Sequence, residues 1–263
     1  MKRVLTALAM IPVVLYVVLW APAWAVAGVT ALVALLCYYE YRGIAAAYGV
    51  GTLGPLGYAA GLLILLLPQS AGLPQSVSLV MLAAALMAVG LALGADDLRA
   101  AVLRAAFLAL GLLYIFGCWR FAPLLRAENR YWLLYALSLN WIGDIGAYYV
   151  GRRFGRHKLA QVVSPGKSWE GAAASLGVSL LFGFFLLRWA IPTVPPGVAL
   201  ALTAAANVAG QFGDLCESGL KRGAGVKDSG SLLPGHGGML DRVDSTLFTL
   251  PVVYLYVAWR YAG

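Results

Sequence analysis

Asp214, Glu217, Ser218 and Lys221 stand at i, i+3, i+4 and i+7. A helix over this stretch therefore puts two carboxylates, a hydroxyl and an ammonium on one face. Asp241 and Asp244 repeat the i, i+3 spacing. Two helix ends that each offer carboxylates can converge on a divalent cation. Magnesium is the natural choice, since it takes oxygen ligands, often one or two carboxylates plus substrate phosphates. For any one of these residues a structural ion pair is the competing reading; for the whole cluster it is much the weaker one.

The segment between the two acidic stretches suits phosphate. Gly235, Gly237 and Gly238 let backbone N–H groups approach anionic oxygens and permit positive φ, although a glycine-rich loop alone is often only a turn. Lys221, Arg222 and Lys227 supply charge to neutralise a polyphosphate, and arginine suits bidentate contact; Ser218 and Arg242 flank the segment as further candidate contacts. His236 is open to three roles: a phosphate contact, a proton carrier or a loop hydrogen bond. Upstream, a basic stretch with Arg152, Arg153, Arg156 and Lys158 leads into Ser164-Pro165-Gly166-Lys167-Ser168-Trp169-Glu170-Gly171, where Ser164, Lys167 and Ser168 are candidates to position a substrate phosphate.

The elements that hold these groups belong to a membrane. Of 263 residues 62% are hydrophobic and 11% charged, against roughly a quarter charged in a soluble domain. Mean hydropathy is +0.82. Val4 to Tyr39 and Gly43 to Ala95 contain no Asp, Glu, Lys or Arg, and each is long enough for two crossings of ~20 residues. An ionisable group at the centre of a crossing costs at least ~2.5–3.5 kcal/mol, which makes Asp144 and Asp214 functional candidates. The fold expected is an all-α, polytopic helical bundle of about nine transmembrane helices. Their windows are 4–20, 23–39, 54–68, 76–94, 99–118, 131–150, 170–190, 197–217 and 239–260. The first helix reads as uncleaved, because its apolar run exceeds a usual signal core and further spans follow.

With nine crossings and an inside amino terminus, fourteen basic residues face the cytoplasm and five do not, the orientation that positive charge favours. Arg120, Arg126 and Arg130 sit against the trend. The net charge of +8 fits anionic lipid and anionic substrates, and no soluble basic domain exists to bind nucleic acid. Cys37, Cys118 and Cys216 have no metal-ligand spacing and read as packing residues. Of eleven acidic residues, seven lie between 144 and 244. The chain thus reads as a single transmembrane catalytic domain over 1–263, with 1–130 mainly scaffold and 131–263 carrying the site.

Ser218-Gly219-Leu220-Lys221-Arg222, then Lys227-Asp228-Ser229-Gly230, then Leu233-Pro234-Gly235-His236-Gly237-Gly238-Met239-Leu240-Asp241-Arg242-Val243-Asp244 resembles the signature of the phosphatidate cytidylyltransferase family, the CDP-diacylglycerol synthases. The match runs over 27 positions from Ser218 to Asp244 without a gap, and Gly213-Asp214 and Ser164 to Gly171 look like further family stretches. Gly166 is a small departure where a polar or basic residue is expected. The likeness is close over 131–255, while the amino-terminal half shares only a hydrophobic pattern.

The resemblance implies a metal-dependent membrane enzyme, commonly dimeric, with a polar cavity open to cytoplasm and lipid. It implies Asp214 and Asp241 as metal ligands and a potassium ion beside the magnesium; Asp244, Glu217 and Asp144 are the additional candidates. The implied reaction joins CTP and phosphatidic acid to give CDP-diacylglycerol and pyrophosphate, with Lys221 and Arg222 helping the metal neutralise the phosphates. Rival readings are a CTP-dependent polyprenol or phytol kinase and a membrane transporter; Asp241-Arg242-Val243-Asp244 followed by Ser245 does not fit a CDP-alcohol phosphotransferase. The absence of long targeting extensions points to a bacterial plasma membrane, with the site reached from the cytoplasm.

Overall fold

A computed structural model describes residues 2–51, 54–66, 82, 86, 87, 89, 90, 97–233, 235 and 237–261. Apolar sequence runs as helix, with Pro12 inside the first: α1 (Lys2–Leu19), α2 (Ala23–Ala47), α3 (Gly54–Leu66) and α4 (Leu98–Gly111). A π-helical turn over Leu112–Gly117 carries α4 into α5 (Phe121–Glu128). Then follow α6 (Arg130–Phe154), a hairpin of β1 (Lys158–Ala160) and β2 (Ser164–Ser168), α7 (Trp169–Ala190), α8 (Pro196–Gly223) and α9 (Leu240–Tyr261). The protein is an all-α membrane protein with one small antiparallel hairpin, in register Lys158 with Ser168 and Ala160 with Ser164.

Three described stretches are long and apolar enough to cross a bilayer, namely Ala23–Ala47, Arg99–Glu128 and Trp169–Ala190. Helices α6, α8 and α9 match them in length, at 25, 28 and 22 residues, but carry the charges of the site. Exposed Trp20, Trp24, Trp189 and Trp259 mark one end of the bundle, and exposed Tyr148, Tyr149, Phe154 and Trp169 the other, as aromatic belts at two membrane interfaces do.

Several boundaries differ from the expected windows, and charge is the reason. Glu40 and Arg42 do not end the second span; α2 continues to Ala47 because Glu40 is buried against backbone donors. Arg120 does not end the fifth; it is buried and its Nη1 donates to the Ile64 carbonyl at the end of α3. The stretch at 158–168, expected as loop, forms the hairpin. The expected crossing at 76–94 lies mostly outside the described residues.

The three arginines that ran against the charge trend have the same explanation. Arg126 Nη2 donates to the carbonyls of Leu19 and Ala21 at 3.5 and 3.4 Å, and Arg130 Nη1 to Leu19 at 3.2 Å. Each guanidinium thus satisfies carbonyls that the end of a helix leaves without intrahelical donors. Arg188 and Arg260 donate instead to turn carbonyls, those of Pro192 and Thr193, at 3.0 and 3.2 Å.

Helices α6, α7, α8 and α9 form the best-packed block, and small residues let them approach. Gly143 of α6 faces a polar seam: a Cβ there would meet Ser175 Oγ at 2.7 Å and the Asn207 and Ser179 side chains at 2.9 Å. The seam is hydrogen-bonded throughout, with Asn207 Nδ2 donating to Ser175 and Ser179 at 3.0 and 2.9 Å. Thr249 Oγ1 donates to Asn140 Oδ1 at 3.0 Å. Small residues and side-chain hydrogen bonds are how helices associate where lipid removes the hydrophobic drive. We predict that Gly143→Leu destabilises the detergent-solubilised protein by about 1–3 kcal/mol, lowering its melting temperature by several degrees. Gly177→Leu, at a position with nothing within 4 Å, should melt like the parent; equal melting of both variants would contradict the close packing.

Candidate functional site

The hairpin and the facing ends of α6, α7 and α8 enclose a cavity of about 400 Å3. Each helix contributes one stripe. On α6 it is Asp144, Ala147, Tyr148 and Gly151; on α8 it is Asn207, Gly210, Gln211 and Asp214. Both follow the i, i+3, i+4, i+7 rhythm of a single helical face. The floor is amide: Gln211 Nε2 donates to Asn207 Oδ1 at 2.7 Å and to the Ala172 carbonyl at 3.2 Å. Lys167 reaches over from β2, its Nζ 2.6 Å from Asp214 Oδ2, while Ser218 Oγ donates to Asp214 Oδ1 at 3.3 Å.

Ser168 is buried and caps α7, its Oγ accepting from Gly171 N at 3.2 Å. Glu170 accepts from His157 N at 3.2 Å and lies 2.7 Å from His157 Nδ1, which ties the hairpin base to the helix. Gly155 must be glycine here, because a Cβ would meet the Gly151 carbonyl at 2.3 Å and Ser168 Oγ at 2.6 Å.

The predicted stripe on α8 divides. Asp214 and Ser218 face the cavity side, whereas Glu217 is fully buried. Lys221 Nζ is ion-paired to Glu217 and lies 2.5 Å from Asp241 Oδ1. Asp241 has little capacity left: Ser229 N donates to both its oxygens at 3.1 Å, and Gly238 N to Oδ2 at 2.8 Å. Asp241 thus organises the loop, tied to Lys221 of α8 and to two backbone N–H groups.

Asp144, Asp214 and Asp244 influence one another electrostatically, and Asp244 also acts on Glu217; Lys167 and Arg242 are the cations beside Asp144, and Lys221 the one beside Asp244. Asp244 Oδ1 accepts from Ser245 N at 2.7 Å. Asp144 and Asp214 lie on the wall of one cavity, and repulsion between carboxylates there favours added positive charge. Their hard oxygens fit magnesium, although among the described residues no three acidic, His or Cys side chains already form a closed cage.

The remaining candidates are placed as follows. Ser164 opens β2. Arg222 is exposed, with Nη1 directed at the Val226 carbonyl at 3.4 Å; Lys227 and Arg242 are exposed too. Gly237 has φ +79° and Gly235 the same, so both occupy the left-handed region that favours glycine. His236 lies outside the described residues.

Sequence reasoning missed Glu40. Its Oε1 accepts from Met239 N at 3.0 Å, and its Oε2 from Leu240 N at 2.8 Å and Ser229 Oγ at 3.2 Å. The available signal was that Glu40 is the first acidic residue of the chain, set between two uncharged stretches. Asn140, Asn207 and Gln211 were missed as well; amides inside long apolar helices were the clue.

A profile of the cytidylyltransferase family matches residues 1–259. The chain is similar to the phosphatidate cytidylyltransferase of Staphylococcus aureus (strain COL), 39% identical over 196 residues that cover 74% of this chain and 75% of the relative. It is 38% identical to that of Staphylococcus haemolyticus over 198 residues, with the same coverage. It is 40% identical to that of Bacillus subtilis over 155 residues, 58% of each chain.

Removing the Lys221 ammonium strands two carboxylates. We predict that Lys221→Met destabilises the protein by about 3–5 kcal/mol, the scale for one partner lost from a buried ion pair. Adding Glu217→Gln should recover more than half of that loss. A double variant that melts no higher than Lys221→Met would remove the Glu217 pairing from the account.

Proposed function

The chain belongs to the cytidylyltransferase family, and from that premise we propose that it is a phosphatidate cytidylyltransferase, making CDP-diacylglycerol and pyrophosphate from CTP and phosphatidic acid. The observation that carries this reading is a carboxylate-lined, lysine-bearing cavity at the end of a membrane bundle, walled by the helix α8 that leads into the signature. A phosphate oxygen of phosphatidic acid attacks the α-phosphorus of CTP. A new P–O bond forms there as the bond to the β-phosphate bridging oxygen breaks, and pyrophosphate leaves with those electrons. The nucleophile is already an anion, so no strong base is needed.

What the reaction needs is charge neutralisation, because both reactants are anions. Lys167 and Ser168 line the cavity, and we assign Lys221, Arg222, Lys227, Arg242, Ser164 and Ser218 as further phosphate contacts. We propose Asp214 with Asp144 and Asp244 as the carboxylates that hold Mg2+. Asp241 could join them by releasing one of its loop hydrogen bonds, and Glu217 by releasing Lys221. When bound, the ion polarises the CTP phosphates and stabilises charge on the leaving pyrophosphate. The residues present fit that role as a cluster of carboxylate oxygen donors. A potassium ion is a further part of the proposal by resemblance alone, as is a homodimer.

We propose nine crossings, with the site facing the cytoplasm of a bacterial plasma membrane. Supporting this is the charge distribution: the five arginines assigned to the opposite face all donate to backbone carbonyls, and the other fourteen basic residues are assigned to the site end. The acyl chains stay in the bilayer while the headgroup enters the cavity.

Phosphorus labels separate this reaction from its rivals. With the purified protein, phosphatidic acid and Mg2+, label at the α-phosphorus of CTP should enter lipid, and label at the γ-phosphorus should leave in pyrophosphate. Transfer of γ-label to a lipid alcohol would instead establish a kinase, and movement of solute across sealed vesicles without CTP turnover a transporter. In the same assay Asp214→Asn should cut the rate by about a hundredfold or more, the scale of a lost charge-stabilising group. A near-normal rate at saturating Mg2+ would remove Asp214 from the metal site.

A further inference from the structure

We propose that Glu40, in the half of the chain without signature motifs, is a positioning residue that clamps the substrate loop over residues 229–240. This rests on the reading of that loop as the phosphate contact. Helix α9 begins at Leu240 and is preceded by Met239, whose side chain cannot serve as an N-cap oxygen. The first N–H groups of a helix need acceptors, and Glu40 supplies them from α2, accepting from Met239 N and Leu240 N at 3.0 and 2.8 Å.

A helix cap would need no more than that, yet the same carboxylate also takes Ser229 Oγ at 3.2 Å. It therefore grips both ends of the loop. The loop is shaped to receive it: a Cβ on Gly230 would meet Glu40 Oε1 at 2.6 Å. One on Gly238 would meet Ser229 Oγ at 2.1 Å and Glu40 Oε2 at 2.6 Å. Two glycines of the signature are thus required by a residue nearly 200 positions upstream. Glu40 is 2% exposed, so it acts through the loop rather than on substrate.

The closing contacts run through Asp241 as well. Ser229 N and Gly238 N end on Asp241 while Ser229 Oγ and the two following N–H groups end on Glu40. Lys221 sets the position of Asp241, and Glu40 sets the loop against α2. Loss of Glu40 frees the loop without touching the Asp144 and Asp214 side of the cavity.

Glu40→Gln tests this, because its amide keeps the volume but turns a donor toward backbone donors. Hydrogen exchange on the full-length protein in detergent reads the loop directly. The expected result is exchange over 227–240 at least about tenfold faster, the scale of a lost hydrogen bond to a charged group. Peptides from 130–154 and 169–190 should be unchanged. The Michaelis constant for CTP should rise about tenfold, with that for phosphatidic acid within about twofold, and Glu40→Asp, which restores the charge, should recover part of both effects. Exchange that is unchanged over 227–240, or that rises equally in every helix, overturns the clamp. If Glu40→Gln yields no folded protein, Ser229→Ala, which removes one donor, must still speed exchange locally by about threefold, or the clamp is wrong. Wild-type exchange over 227–240 that fails to slow with CTP and Mg2+ sinks the substrate-loop reading, and with it the kinetic half of the proposal.

Discussion

Four backbone N–H groups, from Ser229, Gly238, Met239 and Leu240, end on two buried or half-buried carboxylates, Asp241 and Glu40. The site end of the molecule depends on this arrangement. A loop rich in glycine has a large conformational entropy to lose, and charged acceptors give the stronger hydrogen bonds that can hold it. The charges must then be compensated where the bundle leaves little water. Lys221 answers for Asp241 and Glu217 together, which explains why a lysine sits 11% exposed between α8 and α9.

The same economy of charge runs through the rest of the bundle. Buried polar groups are costly unless hydrogen-bonded, and in lipid the alternative partner, water, is absent. Asn140, Ser175, Ser179, Asn207, Thr246 and Thr249 therefore bond to one another or to carbonyls across α6, α7, α8 and α9. This seam continues upward into the cavity, where Gln211 and Asp214 face outward from it. The proposed site groups are thereby mounted on the best-packed block of helices. At the opposite end, arginines are spent on helix carboxyl termini, so both ends of the bundle use charge to close backbone that helices leave open.

Two carboxylate sets come out of this arrangement with different work. Asp144 and Asp214 line the cavity and, with Asp244, repel one another, Lys167, Lys221 and Arg242 being the cations nearby. Asp241, Glu217 and Glu40 are answered by Lys221 and by backbone N–H groups. In the proposed reaction the first set faces the phosphates, while the second, Asp241 included, ties the loop to the helix ends. A nucleotidyl transfer between two anions needs both, since attack must be in position before charge can be stabilised.

Much of this was legible in the residues. Long uncharged stretches could only be membrane helices, because nothing else satisfies so much apolar sequence. The run from Ser218 to Asp244 identified the chemistry, since charge, glycine and spacing are all constrained together. Helical periodicity correctly put Asp214 on a face, but it could not say which neighbour each residue of that face would meet. Glu217 turned inward to Lys221 and Asp241, and Asp214 outward to Lys167. The hairpin was hidden because Pro165 and Gly166 read as loop, and its pairing is made across the chain rather than along it. Glu40 was the furthest from view. Its partners are 189 to 200 residues away, and a hydrogen bond over that separation leaves no periodic trace in either segment. Local sequence determined which elements form and what chemistry they carry. Only the packing of α2 against the start of α9 decided where the loop would stand, because the acceptors for its N–H groups come from another helix.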